Sequence, residues 1–212
     1  MEIHTLFKGY IYSDVKQPRE QPKHWHFWLP LLCYYTGAYS DEIGNLTLSD
    51  IKKISGQYFL NLQTNNKIKP RLVPIHPMLF EHGLLDYIAY TQSQNQTRLM
   101  FDLPAKSGRY SEKVRIWFSG EGERAGYLQK CHIPNVDLEG RKAAISSFRL
   151  NFEQQIRILA IQAGSKHAFN YLMGFKDYPS DVFENTKLLC QIMRGLRALP
   201  TTISWQRFCD RH

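Results

Sequence analysis

The chain has 212 residues, of which 43% are hydrophobic and 13% aromatic, so it is long and apolar enough to bury a core and is not intrinsically disordered. Its 27 Lys and Arg residues outnumber its 19 Asp and Glu residues, and this positive charge favours a polyanionic partner such as nucleic acid. The sequence has no long apolar run and no signal peptide, so we expect a cytoplasmic protein without a membrane partner. Four scattered cysteines without C-x-x-C spacing predict reduced thiols, and we expect neither a cofactor nor a metal site.

The first part of the chain predicts two helices separated by a tight turn. Residues 1–21 are expected to be a lead-in segment that ends in a charged, proline-containing surface loop. Apolar side chains recur at helical spacing over residues 25–32, and this helix is predicted to end at the Thr36-Gly37 pair. A second helix is predicted to open at Ser40, with acidic residues in its first turn.

The next part predicts a small antiparallel sheet and an interrupted helix. Alternating apolar side chains in residues 51–62 predict strands with a turn at Gly56, and residues 67–75 predict a further strand. Residues 78–90 then follow a helical pattern that Gly83 interrupts.

A polar loop is expected over residues 91–112, before a helical segment that Gly120 and Gly122 break. Positive charges interleaved with Tyr110 cluster in and after this loop. They belong to Lys106, Arg109, Lys113 and Arg115. Such a run can follow a phosphate backbone, and it is also typical of a solvated loop.

The strongest helical pattern of the chain lies in its second half. Apolar side chains fall on one helical face over residues 145–163, and Gly164 is predicted to end this helix. Ser165 is predicted to cap a short helix. A last helix is predicted to open at Pro179, and residues 198–212 are expected to form a C-terminal tail. These elements together predict an α+β fold that is mainly helical and contains a small antiparallel sheet.

Four segments resemble the catalytic domain of the tyrosine recombinases, the phage integrase family. WLPLLCYYTGAYSDEIGNLTL resembles the segment that carries the first catalytic arginine of that family, and RLVPIHP resembles the end of its small sheet. ISSFRLNF and NYLMGFKD resemble the second and third catalytic boxes. The resemblance implies a tyrosine-recombinase catalytic-domain-like fold, that of the DNA breaking-rejoining enzymes, over residues 22–197.

Four positions depart from the catalytic pattern of that family. The resemblance places Tyr39 at the first arginine, Ser146 at the second-box histidine, Phe175 at the third-box histidine or tryptophan, and Phe183 at the nucleophilic tyrosine. A phenylalanine has no oxygen with which to attack a phosphodiester. The resemblance therefore implies that the chemistry is lost, and Tyr39 and Phe175 are interpreted as packing that closes a former active-site cleft.

Other family positions are retained or have candidates. Arg149 matches the second catalytic arginine, and Lys67, or else Lys69, stands near the catalytic lysine, where a solvated turn lysine is the alternative. The residues expected to contact DNA share a positive charge and are Lys67, Lys69, Arg71, Lys106, Arg109, Lys113 and Arg149.

Three functions remain open at the level of sequence. The leading hypothesis is a catalytically inactive, integrase-like protein that binds duplex DNA in recombination or in the integration of a mobile element. The second is an active recombinase with rearranged residues, for which Tyr178 is the accessible candidate nucleophile. The third is a protein-interaction module that partners another recombinase, or self-associates, through its C-terminal helix and the tail.

Overall fold

The fold is α+β, about half helical in the residues that the structure describes, with one three-stranded antiparallel sheet there. The computed structural model describes residues 3–14, 21–63, 68–134, 136, 140, 142–176, 185–199 and 203–211. Within these residues the helices are α1 (Ile3–Leu6), α2 (His24–Thr36), α3 (Ser40–Asn45), α4 (Pro77–Glu81), α5 (Leu84–Ser93), α6 (Ser111–Ser119), α7 (Tyr127–Lys130), α8 (Ser147–Gln162), α9 (Lys166–Leu172), α10 (Thr186–Arg194) and α11 (Trp205–Cys209). The strands are β1 (Ile51–Ile54), β2 (Gln57–Leu62) and β3 (Arg71–Pro74).

Helix α2 is the central element of the core. Its side chains from Phe27 to Thr36 are all buried, as expected for a helix that other elements surround. The carboxylate of Asp102 accepts hydrogen bonds from the backbone N–H groups of His24 and Trp25, at 2.7 and 3.3 Å. These are donors that a helix N-terminus leaves without partners, so the loop that carries Asp102 holds the start of α2 in place.

The predicted break after α2 is confirmed. Gly37 adopts the left-handed conformation at φ +63° and ends the helix, and α3 begins at Ser40. A Cβ atom on Gly37 would lie 2.3 Å from Cδ1 of Phe152 on α8. Glycine is therefore required at this position twice over, for its backbone conformation and for the close packing of α2 against α8.

The predicted sheet is also confirmed, in the order β1-β2-β3. Strands β1 and β2 form a hairpin in which Ile51 pairs with Leu60, and the turn uses Ser55 and Gly56, both at positive φ. Strand β3 pairs antiparallel with β2 and packs against α9 and α10.

Several helices differ in extent from their prediction. Gly83, at φ +91°, divides the expected helix of residues 78–90 into α4 and α5. The helix predicted over residues 145–163 begins at Ser147 and ends at Gln162. Helix α10 is described from Thr186 onwards, and the predicted opening at Pro179 lies outside the described residues.

The expected tail contains a helix that the sequence pattern did not predict. Helix α11 buries Trp205 and Phe208 in the same core as α2. The Trp205 backbone N–H donates to the carbonyl oxygen of His82 at 2.8 Å, and its indole N–H donates to Nδ1 of His24 at 3.2 Å. The N-terminal segment enters this core as well, through buried residues such as Phe7. In the described part of the chain, no helix is long and apolar enough to cross a membrane.

Candidate functional site

Arg149 lies at the centre of the candidate site and is buried. It is in the first turn of α8, with only 6% of its surface exposed. Its Nη1 donates a hydrogen bond to the carbonyl oxygen of Gly37 and its Nη2 donates one to that of Met173, each at 2.7 Å. These carbonyls belong to the C-terminal caps of α2 and α9, where the helix dipole is negative. The guanidinium therefore joins the ends of two helices to the start of a third.

Two aromatic rings cover the guanidinium of Arg149. Its Cζ lies 4.8 Å from the centroid of the Tyr39 ring and 5.8 Å from that of the Phe175 ring. Both distances are within the range of cation–π attraction. Burial lowers the pKa of Arg149 below its usual value, yet an arginine remains charged at neutral pH. Arg149 is thus sealed under Tyr39 and Phe175 and does not face an open cleft.

A second buried arginine lies behind this site. Nη1 of Arg71 on β3 forms an ion pair with Oε1 of Glu42 at 2.7 Å, and neither side chain is exposed. Nε of Arg71 donates to the carbonyl oxygen of Leu172 at 3.0 Å, and Oε2 of Glu42 accepts the backbone N–H of Tyr39 at 2.8 Å. The expected DNA contact by Arg71 does not fit this placement, because no part of its side chain is accessible. The ion pair instead holds the backbone that carries Tyr39.

The remaining predicted residues are placed as follows. Ser146 is exposed just before α8, and Lys69 is exposed where its backbone N–H donates to the carbonyl oxygen of Gly174 at 2.9 Å. Lys67, Tyr178 and Phe183 lie outside the described residues. The structure thus brings Tyr39, Arg149 and Phe175 into contact, although they come from distant parts of the chain.

An open cleft of about 660 Å³ lies beside this group. Tyr39 and Ser146 line it, together with Lys106, Arg109 and Arg115 from the basic cluster. The other lining residues are Ala38, Ser40, Ser107, Ser111, Glu112, Ala144 and Ile145. We call this space the first cleft.

A second cleft of about 620 Å³ lies on the other side of Lys106 and Glu112, which line both. Lys106 and Glu112 form an ion pair at 2.6 Å. The basic residues that line only the second cleft are Lys23, Lys113, Arg124 and Lys130. Together the two clefts carry seven basic and two acidic side chains. We call this surface the basic face.

His26 lines the second cleft and is uncharged there. Its ring stacks on that of Trp117, with centroids 4.7 Å apart. Burial, with the positive charges of Lys23 and Lys130 adding to it, lowers the pKa of His26 to about 3. His26 is therefore neutral at physiological pH, and it contributes an aromatic surface to the cleft rather than a charge.

Sequence reasoning identified only part of the basic face. Lys106, Arg109 and Lys113 were expected to contact DNA, and they lie on it. Lys23, Arg124 and Lys130 were missed, because they lie outside the basic cluster of residues 106–115 and only the packing of α6 against α7 and the start of α2 brings them to it. No local pattern in the sequence indicates this grouping.

Metal binding has no support in the part of the chain that the structure describes. No group of three or more His, Cys, Asp or Glu side chains there is arranged to hold an ion. The four cysteines are free thiols, as their spacing predicts, and Cys33 and Cys190 are buried.

Comparisons with known proteins do not assign the chain to a family. No protein-family model matches it, and no curated protein matches its sequence.

Proposed function

We propose that this chain is an integrase-like DNA-binding protein with a tyrosine-recombinase catalytic-domain-like fold, which does not cleave DNA and acts in recombination or in the integration of a mobile element. The observation that carries this proposal is that Arg149 is buried and hydrogen-bonded within the protein. The resemblance assigns that residue to a phosphate clamp, yet its donors are engaged by two carbonyl groups and its guanidinium is covered.

The contacts of Arg149 support the loss of catalysis. Two of the five N–H donors of Arg149 are held by carbonyl groups, in bonds worth roughly 1.5–3 kcal/mol each because the donor is charged. To reach the guanidinium, a phosphate would also have to displace the rings of Tyr39 and Phe175. Stabilisation of a phosphodiester transition state needs donors that are already aimed at it, and this guanidinium is aimed elsewhere.

The meeting of Tyr39, Arg149 and Phe175 supports the family resemblance. Three separate segments of the sequence were matched to three catalytic boxes, and a common site requires those segments to converge. Tyr39 and Phe175 both contact Arg149. Nothing within the three segments themselves requires them to meet, so their convergence is independent support.

The basic face supports the binding of DNA. Its positive side chains outnumber its acidic ones, and the first cleft directly adjoins the closed site. Lysine and arginine side chains that neutralise phosphates release counterions from DNA, so affinity must fall with salt. If four phosphates are neutralised, a slope of about −3.6 is expected in a plot of log affinity against log salt, which is about a 150-fold loss between roughly 50 and 200 mM salt.

The binding test uses fluorescence anisotropy with a labelled blunt duplex over a series of salt concentrations. Arg109→Ala and Lys113→Ala should each weaken binding and reduce the salt slope by about one. Lys52→Ala makes the same change of charge at an exposed residue of β1 outside both clefts, and it should leave the slope unchanged. If the protein does not bind duplex DNA at low salt, the proposal is wrong and the protein-interaction alternative is favoured.

The cleavage test uses nicked or suicide-substrate duplex DNA and a denaturing gel. We expect no covalent protein–DNA adduct. An adduct that disappears in Tyr178→Phe would instead establish relocated catalysis and overturn the assignment of an inactive protein.

A further inference from the structure

Tyr39 and Phe175 are unusual among the aromatic side chains of this protein. They expose 37% and 49% of their surfaces, and every other Phe, Tyr and Trp in the described part of the chain is buried or half-buried. The two exposed rings also lie close together, since both contact the guanidinium of Arg149. Cover for Arg149 needs only the inner faces of these rings, so their exposed surfaces are available for a ligand.

Both rings are held by rigid backbone. The Tyr39 N–H donates to Glu42, and the Phe175 N–H donates to the carbonyl oxygen of Asn170 at 2.8 Å. Gly174, next to Phe175, adopts φ +70°, and a Cβ atom there would lie 2.3 Å from Cγ2 of Ile68. Because the backbone is hydrogen-bonded and each ring already packs on Arg149, a ligand that stacks on the rings restricts few further groups and pays little conformational entropy.

The charge beside the rings selects the class of ligand. Tyr39 lines the first cleft together with Lys106, Arg109 and Arg115. Proteins that bind single-stranded nucleic acid combine a positive groove for the backbone with aromatic rings on which bases stack. Within a duplex the faces of the bases are already stacked on one another, so away from the duplex ends only an unpaired base can use such a ring.

We propose that Tyr39 and Phe175 form a stacking platform for unpaired DNA bases, so that the protein prefers DNA with a single-stranded segment to fully paired duplex. This inference rests on the proposed DNA-binding function and specifies the form of DNA that the same surface takes. The basic face contacts the phosphates of either form, and the platform adds affinity only where a base is free.

The test compares three labelled probes by fluorescence anisotropy at one salt concentration: a blunt duplex, the same duplex with an oligo(dT) overhang, and the same duplex with an overhang of abasic nucleotides. The oligo(dT) probe should bind about tenfold more tightly than the other two, within the range measured for stacking of a base on an aromatic ring. The abasic probe keeps the phosphates and needs no change to the protein. If it binds as tightly as the oligo(dT) probe, the platform is refuted.

Variants then locate the effect. Tyr39→Leu and Phe175→Leu keep an apolar cover over Arg149 but remove the flat ring, and each should reduce the ratio of oligo(dT)-probe affinity to blunt-duplex affinity about threefold, because the two rings share the tenfold preference. Tyr39→Phe keeps the ring and should keep the preference. An equal loss for both probes in the leucine variants would contradict the inference. If no probe binds at low salt, it is the proposed DNA-binding function itself that fails, so the two failures are distinguishable.

Discussion

Replacement of Arg149 by methionine removes a buried charge and its two hydrogen bonds but keeps a long, unbranched side chain. Each bond from the charged guanidinium contributes roughly 1.5–3 kcal/mol, and each contact with the rings of Tyr39 and Phe175 contributes roughly 0.5–1 kcal/mol. The methionine side chain recovers part of this through apolar burial. We therefore expect the free energy of unfolding to fall by about 3–5 kcal/mol, which corresponds to a decrease in Tm of about 6–20 °C for a chain of this size.

The measurement combines urea denaturation with binding of the blunt duplex at a temperature where the variant is folded. Because Arg149 is sealed, affinity for the duplex should change by no more than about twofold. Arg157→Met is the matched control, since Arg157 is an exposed residue of α8 that pairs with Glu153 at 2.6 Å and lies 4.6 Å from the centroid of the Phe169 ring. An exposed ion pair and an exposed cation–π contact of this kind are together worth about 1 kcal/mol. An Arg149→Met variant with unchanged stability and much weaker DNA binding would refute the structural role and indicate a phosphate clamp.

Three further changes test the surroundings of the site. Glu42→Gln leaves the charge of Arg71 buried without its partner and should reduce the free energy of unfolding by about 3–5 kcal/mol in urea denaturation. Burial lowers the pKa of His26 to about 3 and that of His76 to about 4. In the unfolded chain the pKa of a histidine is near 6.5, so the unfolded state takes up a proton at a higher pH than the folded state does. Each histidine should therefore remove about 2 kcal/mol of stability as the pH falls from about 7.5 to about 5. Gly37→Ala places a side chain at an unfavourable φ and against Phe152 in the core, so the free energy of unfolding should fall by about 2–4 kcal/mol in the same assay.

Each of these changes has a control. Arg71→Met combined with Glu42→Gln removes the unpaired charge and keeps an amide oxygen that can accept the Tyr39 N–H, so it should recover part of the stability lost in Glu42→Gln alone, and a double variant that is no more stable would argue against unpaired charge as the cause. His76→Gln should make the loss of stability at low pH shallower, so an unchanged pH profile would contradict the assignment. Gly108 has a similar φ of +73°, and no heavy atom lies within 4 Å of the point that a Cβ atom would occupy there, so Gly108→Ala should lose only the backbone contribution, about 1 kcal/mol.

The local elements of this fold were predictable because their causes are local. The end of α2 at Gly37, the hairpin turn at Gly56 and the cap of α9 at Ser165 each depend on the conformational preference or hydrogen bonding of one or two residues. The strong apolar periodicity of α8 likewise identified its buried face. Helix α11 was missed because a helix of five residues is not stable alone, and it forms only where its aromatic side chains are buried.

The residues of the candidate site could be predicted from the sequence, but their burial and their hydrogen bonds could not. The sequence by itself determined that the chain is basic, and its resemblance to the tyrosine recombinases led to the prediction that Tyr39, Phe175 and Arg149 share one site. Only the tertiary structure decided that Arg149 is engaged by carbonyl groups of two distant helix ends and that Arg71 is paired with Glu42. Whether an arginine is exposed to solvent or hydrogen-bonded to a buried acceptor depends on groups that are remote along the chain. Hydrogen bonding and desolvation act through space, so a local pattern of residues does not indicate them.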